Sequence, residues 1–298
     1  LTYAWRADGA LSSVSEVGAV TGPGVLARYH YDARGRVDRV ERGNGVVSTY
    51  GWNGLDRLTS LSHDAVGTAG DMSLGFTYGS TGEMLTRSLD NGSYAVPLPA
   101  SGDVAGVVDA LNRLVSVGGT AIGHDTAGRV ETDGTSHYLY DGDGRLVAVT
   151  PQGGGGEGVG LFYDVLGRLS RIAPGSGVGA VNLAYDGLDV VAELDDAGTV
   201  LRRYAHGAGL GQPLVEYAGA DTDSRRWLLA DERGSVVGLS DGSGSVTSVN
   251  TYDEYGVPGS GNSGLFQYTG QMRIEPLLVC RRLEFNSYAA MALVSRAA

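Results

Sequence analysis

Five histidines are the residues of this chain best equipped for chemistry. Three of them lie near an aspartate: His63 with Asp64, His124 with Asp125, and His137 with Asp141. Imidazole and carboxylate together suit a divalent ion, and such an ion turns bound water into a nucleophile for ester or phosphoester hydrolysis. His124, Asp125 and His137 are the set a repeating scaffold could bring together, with zinc as the ion, which makes a metal-assisted hydrolase the enzymatic alternative. Against it stands a plainer role, in which each histidine replaces an aromatic strand residue and is held by hydrogen bonds. Acidic pairs such as Asp141 and Asp143, or Asp195 and Asp196, suggest calcium, yet the EF-hand spacing is missing and turn chemistry explains them. A serine triad built from distant positions stays open because serine is plentiful.

The totals narrow the classes. The chain has 298 residues, 42% hydrophobic and 19% charged, enough for a packed core and too apolar for global disorder. Its 49 glycines against 8 prolines point to many tight turns, because glycine alone takes positive φ without penalty. Valine and tyrosine suit pleated, half-buried surfaces. A formal net charge of −12 and a pI near 4.8 make nucleic acid an unexpected partner. The one cysteine, Cys280, excludes an intrachain disulfide. No run approaches the roughly 18 apolar residues of a membrane span, and the first residues carry no signal-peptide pattern. Leu1 falls inside a repeat, so a piece of a longer polypeptide is expected.

That repeat positions the candidate side chains. Its unit reads aromatic, Asp or Asn, two variable residues, Gly or Asp, a polar or basic residue, then an aliphatic. It runs from Tyr31-Asp32 through Gly35 to Val37, and from Trp52-Asn53 through Asp56 to Leu58. The cleanest copies are Tyr140-Asp141 with Gly144 and Tyr163-Asp164 with Gly167. Weaker copies begin at Tyr78, His124, Tyr185 and Tyr252, and Val108 begins one that lacks only the aromatic. Starts lie about 16 to 30 residues apart as far as Tyr185.

Around each copy the residues alternate with a period of two, as in His137 to Tyr140, which predicts a strand. The aspartate can accept bonds from amides just ahead, the glycine takes the left-handed position, and the chain returns as a second strand. One such hairpin is unstable alone in water. Neighbours must therefore pair sideways into one curved antiparallel sheet, a spiral or open barrel, with exposed edges that favour self-association unless covered.

The rhythm loosens at 60–75 and 90–107, where Pro97-Leu98-Pro99 opposes regular pairing. Gln152 to Gly160 reads as a glycine-rich connecting loop. Further turns fall at Asp196 to Gly198 and at Asp241 to Gly244, so residues 1–272 read as one repeat segment. Residues 273–298 differ, and a short helix or a disordered tail fits them equally.

Four stretches carry a family resemblance: Arg202-Arg203-Tyr204-Ala205-His206-Gly207, Ala230 to Val236, Tyr252-Asp253-Glu254-Tyr255-Gly256, and Phe266 to Gln271. Together with the repeats they resemble the Rhs, or YD-repeat, family of bacteria near its C-terminal core. The resemblance implies an all-β shell of spiralling hairpins, part of a larger secreted or cell-surface polypeptide, that encloses or displays a C-terminal effector domain and needs no cofactor. It departs from the family after Gln271, where Pro276 to Arg282 stands in place of the usual aromatic strand, and at Leu229, where relatives tend to carry histidine.

Overall fold

A computed structural model describes residues 1–96, 105–153, 156–177, 179–207, 209, 211–253 and 256–274. The stretch 97–99, part of the glycine loop, Cys280 and all but the first two residues of the 273–298 tail lie outside the described residues. Among the described residues the fold is all-β and antiparallel, an open shell with no closed barrel.

Among the described residues strands pair in chain order in three sheets: eight from Thr2–Trp5 to Met84–Leu89, three between Gly106–Val108 and Thr120–Ala121, and thirteen from Gly123–His124 to Val246–Val249. Residues 60–75, expected to interrupt the rhythm, instead carry the first sheet onward. Strands Leu58–Asp64 and Met72–Tyr78 pair from Ser60↔Gly75 to His63↔Met72. The loop between them closes when Asp71 Oδ1 accepts from the Ala65 amide at 2.9 Å. The repeat marks turns, so a hairpin closed another way escapes it.

Period-two alternation supplies the core. Val130, Tyr138, Leu146, Val149, Leu161, Leu169, Ile172 and Leu239, drawn from strands far apart in the large sheet, belong to one buried cluster with Leu265, Phe266 and Ile274. Strands so distant share a core only if the sheet curls, and the chain's return segment fills the curl.

Strands Pro213–Ala218, Arg225–Ala230 and Val236–Ser240 are buried on both faces. Tyr204, Leu228 and Leu239 join that cluster, while their neighbours Ala205, Val215, Tyr217 and Trp227 pack on Leu11, Val14, Leu26 and Val40 of the first sheet. The sequence shows this as continuous apolar runs, such as Trp227-Leu228-Leu229-Ala230, where half-exposed strands alternate. Polar bonds lock the two layers. Trp227 Nε1 donates to the Leu26 carbonyl at 2.9 Å. Arg225 holds Glu16 at 2.7 and 2.6 Å, and Asn44 Nδ2 donates to the Asp241 carbonyl at 2.8 Å. The first and last strands of the chain therefore contact more than their neighbours.

Candidate functional site

The repeated turn is a clasp. Asp32 Oδ1 accepts from the amides of Arg34 and Arg36 at 2.8 and 3.0 Å, and Oδ2 accepts from Arg36 Nε at 2.7 Å. The same bonds recur at Asp109 with Arg113, Asp125 with Arg129, Asp141 with Arg145 and Asp164 with Arg168. The guanidinium bond from Arg36 holds the Asp32 carboxyl below its ordinary pKa; at Asp141 the Arg145 amide does most of this. Gly35, Gly144 and Gly167 turn the chain at φ near 80°. In the Trp52 unit Asn53 replaces the aspartate and Asp56 takes the left-handed position at φ 60°, held by Arg34 and Arg36 at 2.8 and 2.6 Å.

The aromatic joins one unit to the one before. Its polar edge donates to the carbonyl of the preceding unit's final aliphatic residue: Tyr31 to Leu11, Trp52 to Val37, Tyr78 to Leu58, Tyr140 to Val130, Tyr163 to Leu146, Tyr185 to Leu169 and Tyr252 to Val236, all at 2.7 to 3.0 Å. Over most of these rings lies the preceding unit's arginine. Arg36 covers Trp52, Arg57 covers Tyr78, Arg129 covers Tyr140, Arg145 covers Tyr163 and Arg168 covers Tyr185, at 4.6 to 5.5 Å. Arg36, Arg129, Arg145 and Arg168 thus tie the aspartate of their own turn to the next unit's ring.

Among the described residues the ribbon expected to be continuous is divided into three sheets. Val108, which has no hydroxyl to give, ends the first strand of the three-stranded sheet, and His124 ends the first strand of the thirteen-stranded one.

The candidate metal residues do not form a donor set. Asp125 Oδ1 accepts from the Ala127 and Arg129 amides at 2.9 Å each, and Oδ2 accepts from Arg129. His124 is half-buried opposite Val130, and His137 is exposed between buried Ser136 and Tyr138. Among the described residues no three His, Cys, Asp or Glu side chains are grouped to hold a metal. Asp141 and Asp195 serve as turn acceptors, and Asp143 and Asp196 face arginines.

Gly238-Leu239-Ser240-Asp241-Gly242 has the spacing of a nucleophile elbow. The structure gives it another role. Ser240 ends a buried strand with its Oγ accepting from Asn44 Nδ2 at 3.1 Å, and Asp241 heads a clasp turn.

Two buried polar groups escape the repeat. His63 sits between Ser48 Oγ, 2.7 Å from Nδ1, and the Ala230 carbonyl, 3.0 Å from Nε2. On the doubly buried strands Glu193 faces Arg202, and Glu216 faces both Tyr204 and Arg226 across the ladder. The Tyr204 hydroxyl donates to Glu193, and burial raises its pKa. Glu216 Oε1 accepts from Arg226, while its buried Oε2 has no partner among the described residues. Glu193, Arg202, Arg226, Asn262 and Arg273 line a cavity of about 440 Å³ beside them.

No protein-family model matches the chain. Over 151 residues, half of the chain, it is 30% identical to the tRNA3(Ser)-specific nuclease WapA of Bacillus spizizenii and 27% identical to the tRNA nuclease WapA of Bacillus subtilis. The matched stretch is 6% of each relative. In fold, it resembles a crystal structure of TcdB2-TccC3-TEV with a TM-score of 0.62, and the Photorhabdus luminescens Tc holotoxin pore with 0.61. Both likenesses are at 14% identity and cover 92% of this chain and 18% of the other.

Proposed function

We propose that this chain is a stretch of tyrosine–aspartate repeat shell from near the C-terminal core of a larger secreted or cell-surface bacterial polypeptide. Its work is structural: it encloses or displays an effector domain carried on the same polypeptide. The observation that supports this best is the junction chemistry. From Leu11 to Tyr252 the aspartates, arginines and aromatics bind one another and the neighbouring backbone, which leaves them building a wall. The nuclease activity in the names of the Bacillus relatives belongs, in this reading, to residues outside the segment; the acidic charge of −12 accords with that.

Limited proteolysis of the parent polypeptide tests the enclosure. The C-terminal domain is expected to resist protease until the shell unfolds. Digestion at the rate of the isolated domain, with the shell intact, would sink the reading. The segment is also proposed to work without a cofactor. Stoichiometric zinc, lost with hydrolysis of ester or phosphoester when His124→Ala is introduced, would reverse that in favour of a hydrolase.

A further inference from the structure

Among the described residues, five turns are closed by an arginine four positions on, whose Nε donates to the aspartate Oδ2 at 2.6 to 2.8 Å, as Arg145 does to Asp141. The Trp52 unit has the arginine, Arg57, without the acceptor. Asn53 Oδ1 accepts from the Leu55 and Arg57 amides at 2.9 and 3.1 Å, which leaves the Nδ2 donor where the others carry Oδ2. In that place a donor can only meet the Arg57 donor. Arg57 covers Tyr78 and donates to the Gly79 carbonyl at 3.2 Å, and Asn53 Nδ2 has no partner among the described residues. The residue after Asn53 is glycine, and the surroundings of that pair suit a ring closure. Gly54 is exposed, a Cβ there would meet nothing within 4 Å, and its amide makes no hydrogen bond among the described residues. Arg36 Nη1 donates to the Asn53 carbonyl at 3.2 Å, so a guanidinium stands at the oxygen that shares the charge when the Gly54 amide loses its proton. The two amides on Oδ1 cradle the oxygen that turns anionic when Cγ becomes tetrahedral.

We propose that Asn53-Gly54 is a deamidation site, at which the folded turn converts Asn53 to aspartate and so gives Arg57 the carboxylate that closes the other clasps. The Gly54 amide passes its proton to hydroxide, and its nitrogen bonds to Asn53 Cγ. The Cγ–Nδ2 bond breaks, and the nitrogen takes up a proton from water and leaves as ammonia. Water then opens the cyclic imide. Attack at Cγ, whose oxygen the Leu55 and Arg57 amides hold, leaves the backbone bond to Gly54 intact and an aspartate at position 53. Attack at the other carbonyl gives isoaspartate, which lengthens the turn by one backbone carbon. In sum, amide and water become acid and ammonia. The neighbouring candidates lack this arrangement. Asn44, which precedes Gly45, is buried, and its Nδ2 donates to Ser240 Oγ and the Asp241 carbonyl. Asn91, which precedes Gly92, donates from Nδ2 to the Ala69 and Asp71 carbonyls, and its Oδ1 accepts from the Ser93 amide alone. Asp141-Gly142 occupies the same turn, but its carboxylate is held ionised by Arg145 and makes a poor electrophile.

Peptide mapping by mass spectrometry, after incubation at mildly alkaline pH, reads Asn44, Asn53 and Asn91 in one digest. The chain is compared native and unfolded in guanidinium chloride. Folding ordinarily slows this reaction by restraining the backbone, and Asn44 and Asn91 are expected to follow that rule. Asn53 is expected to break it, converting faster in the native chain than in the unfolded one, with aspartate exceeding isoaspartate. Arg36→Met, checked for intact β-sheet by circular dichroism, should slow the native conversion about tenfold. Asn53→Asp should raise Tm by roughly 1 to 3 °C. A native rate at Asn53 no greater than the unfolded rate overturns the proposal, and this comparison needs no variant to fold. Isoaspartate as the main native product overturns it too, as does an Asn53→Asp variant that melts no higher than the wild type.

Discussion

The His63 imidazole donates from Nε2 to the carbonyl oxygen of Ala230 at 3.0 Å, a bond that crosses from the first sheet to the last. That bond fixes the tautomer. Nδ1 must then accept, so the Ser48 hydroxyl donates to it at 2.7 Å, and Arg42 donates to Ser48 Oγ at 2.6 Å. The relay is fully buried, so it acts as a latch between layers and is closed to substrate.

The latch predicts an acid-sensitive fold. Burial first, then the Arg42 charge, pushes the His63 pKa from 6.5 down to about 3. The unfolded chain takes up a proton below pH 6.5 that the folded chain refuses until about pH 3. The latch's stability is thus complete above pH 6.5 and falls as pH drops through that window, by a few kcal/mol in all. Urea midpoints of the wild type and His63→Gln, measured from pH 7.5 to 4, should converge as the pH falls. Parallel curves would mean that His63 does not stay neutral.

The turn chemistry predicts a graded series at one clasp. Asp164 Oδ1 accepts from the Leu166 and Arg168 amides at 2.9 Å each, while Oδ2 accepts from Arg168 Nε at 2.7 Å. Asp164→Asn keeps the amide acceptor, as Asn53 does naturally with Leu55 and Arg57. Asp164→Ala loses everything. Thermal melts should show Asn lowering Tm slightly and Ala lowering it by a few degrees. Equal losses would show that the amide bonds contribute nothing beyond the guanidinium.

These hairpins were legible because the clasp is local. An aspartate, a left-handed residue and an arginine within a few positions specify their own geometry wherever they stand. The layering was not legible, because alternation says which face a residue occupies and leaves its partner open. Glu16 meets Arg225, and Leu26 meets Trp227, about 200 residues away. Continuous runs such as Trp227 to Ala230 held the clue to double burial. Sequence also cannot show that Arg129 engages the Asp125 carboxylate beside His124.

The junction tyrosines predict an alkaline limit. Burial first, with the Asp141 and Asp164 carboxylates adding to it, pushes the Tyr163 and Tyr185 phenols up to about 12, and each phenol donates its bond in the protonated form. Their contribution is complete below pH 10 and is lost as pH rises through 12, where the unfolded chain ionises first. Absorbance titration at alkaline pH should show phenols ionising only as the sheet unfolds. Tyr185→Phe keeps the ring under Arg168 but removes the bond to Leu169, at a cost of about 1 kcal/mol; Tyr185→Leu should cost more. A phenylalanine variant as unstable as the leucine variant would place the whole effect in the hydroxyl.

The pair on the doubly buried strands predicts strong coupling. Glu216 is 1% exposed and its charge is met by Arg226, with Arg202 Nε 4.0 Å away. Arg226→Met keeps the aliphatic stem but strands a carboxylate whose second oxygen already lacks a donor, so a loss of about 3 kcal/mol is expected. Adding Glu216→Leu removes the stranded charge and fills its space with apolar atoms. The double variant should therefore recover much of the stability, because a buried ion pair replaced whole costs less than one broken. Urea unfolding of both singles and the double closes the cycle. Additive losses would show that Arg226 and Glu216 act independently, with water reaching the carboxylate from the neighbouring cavity.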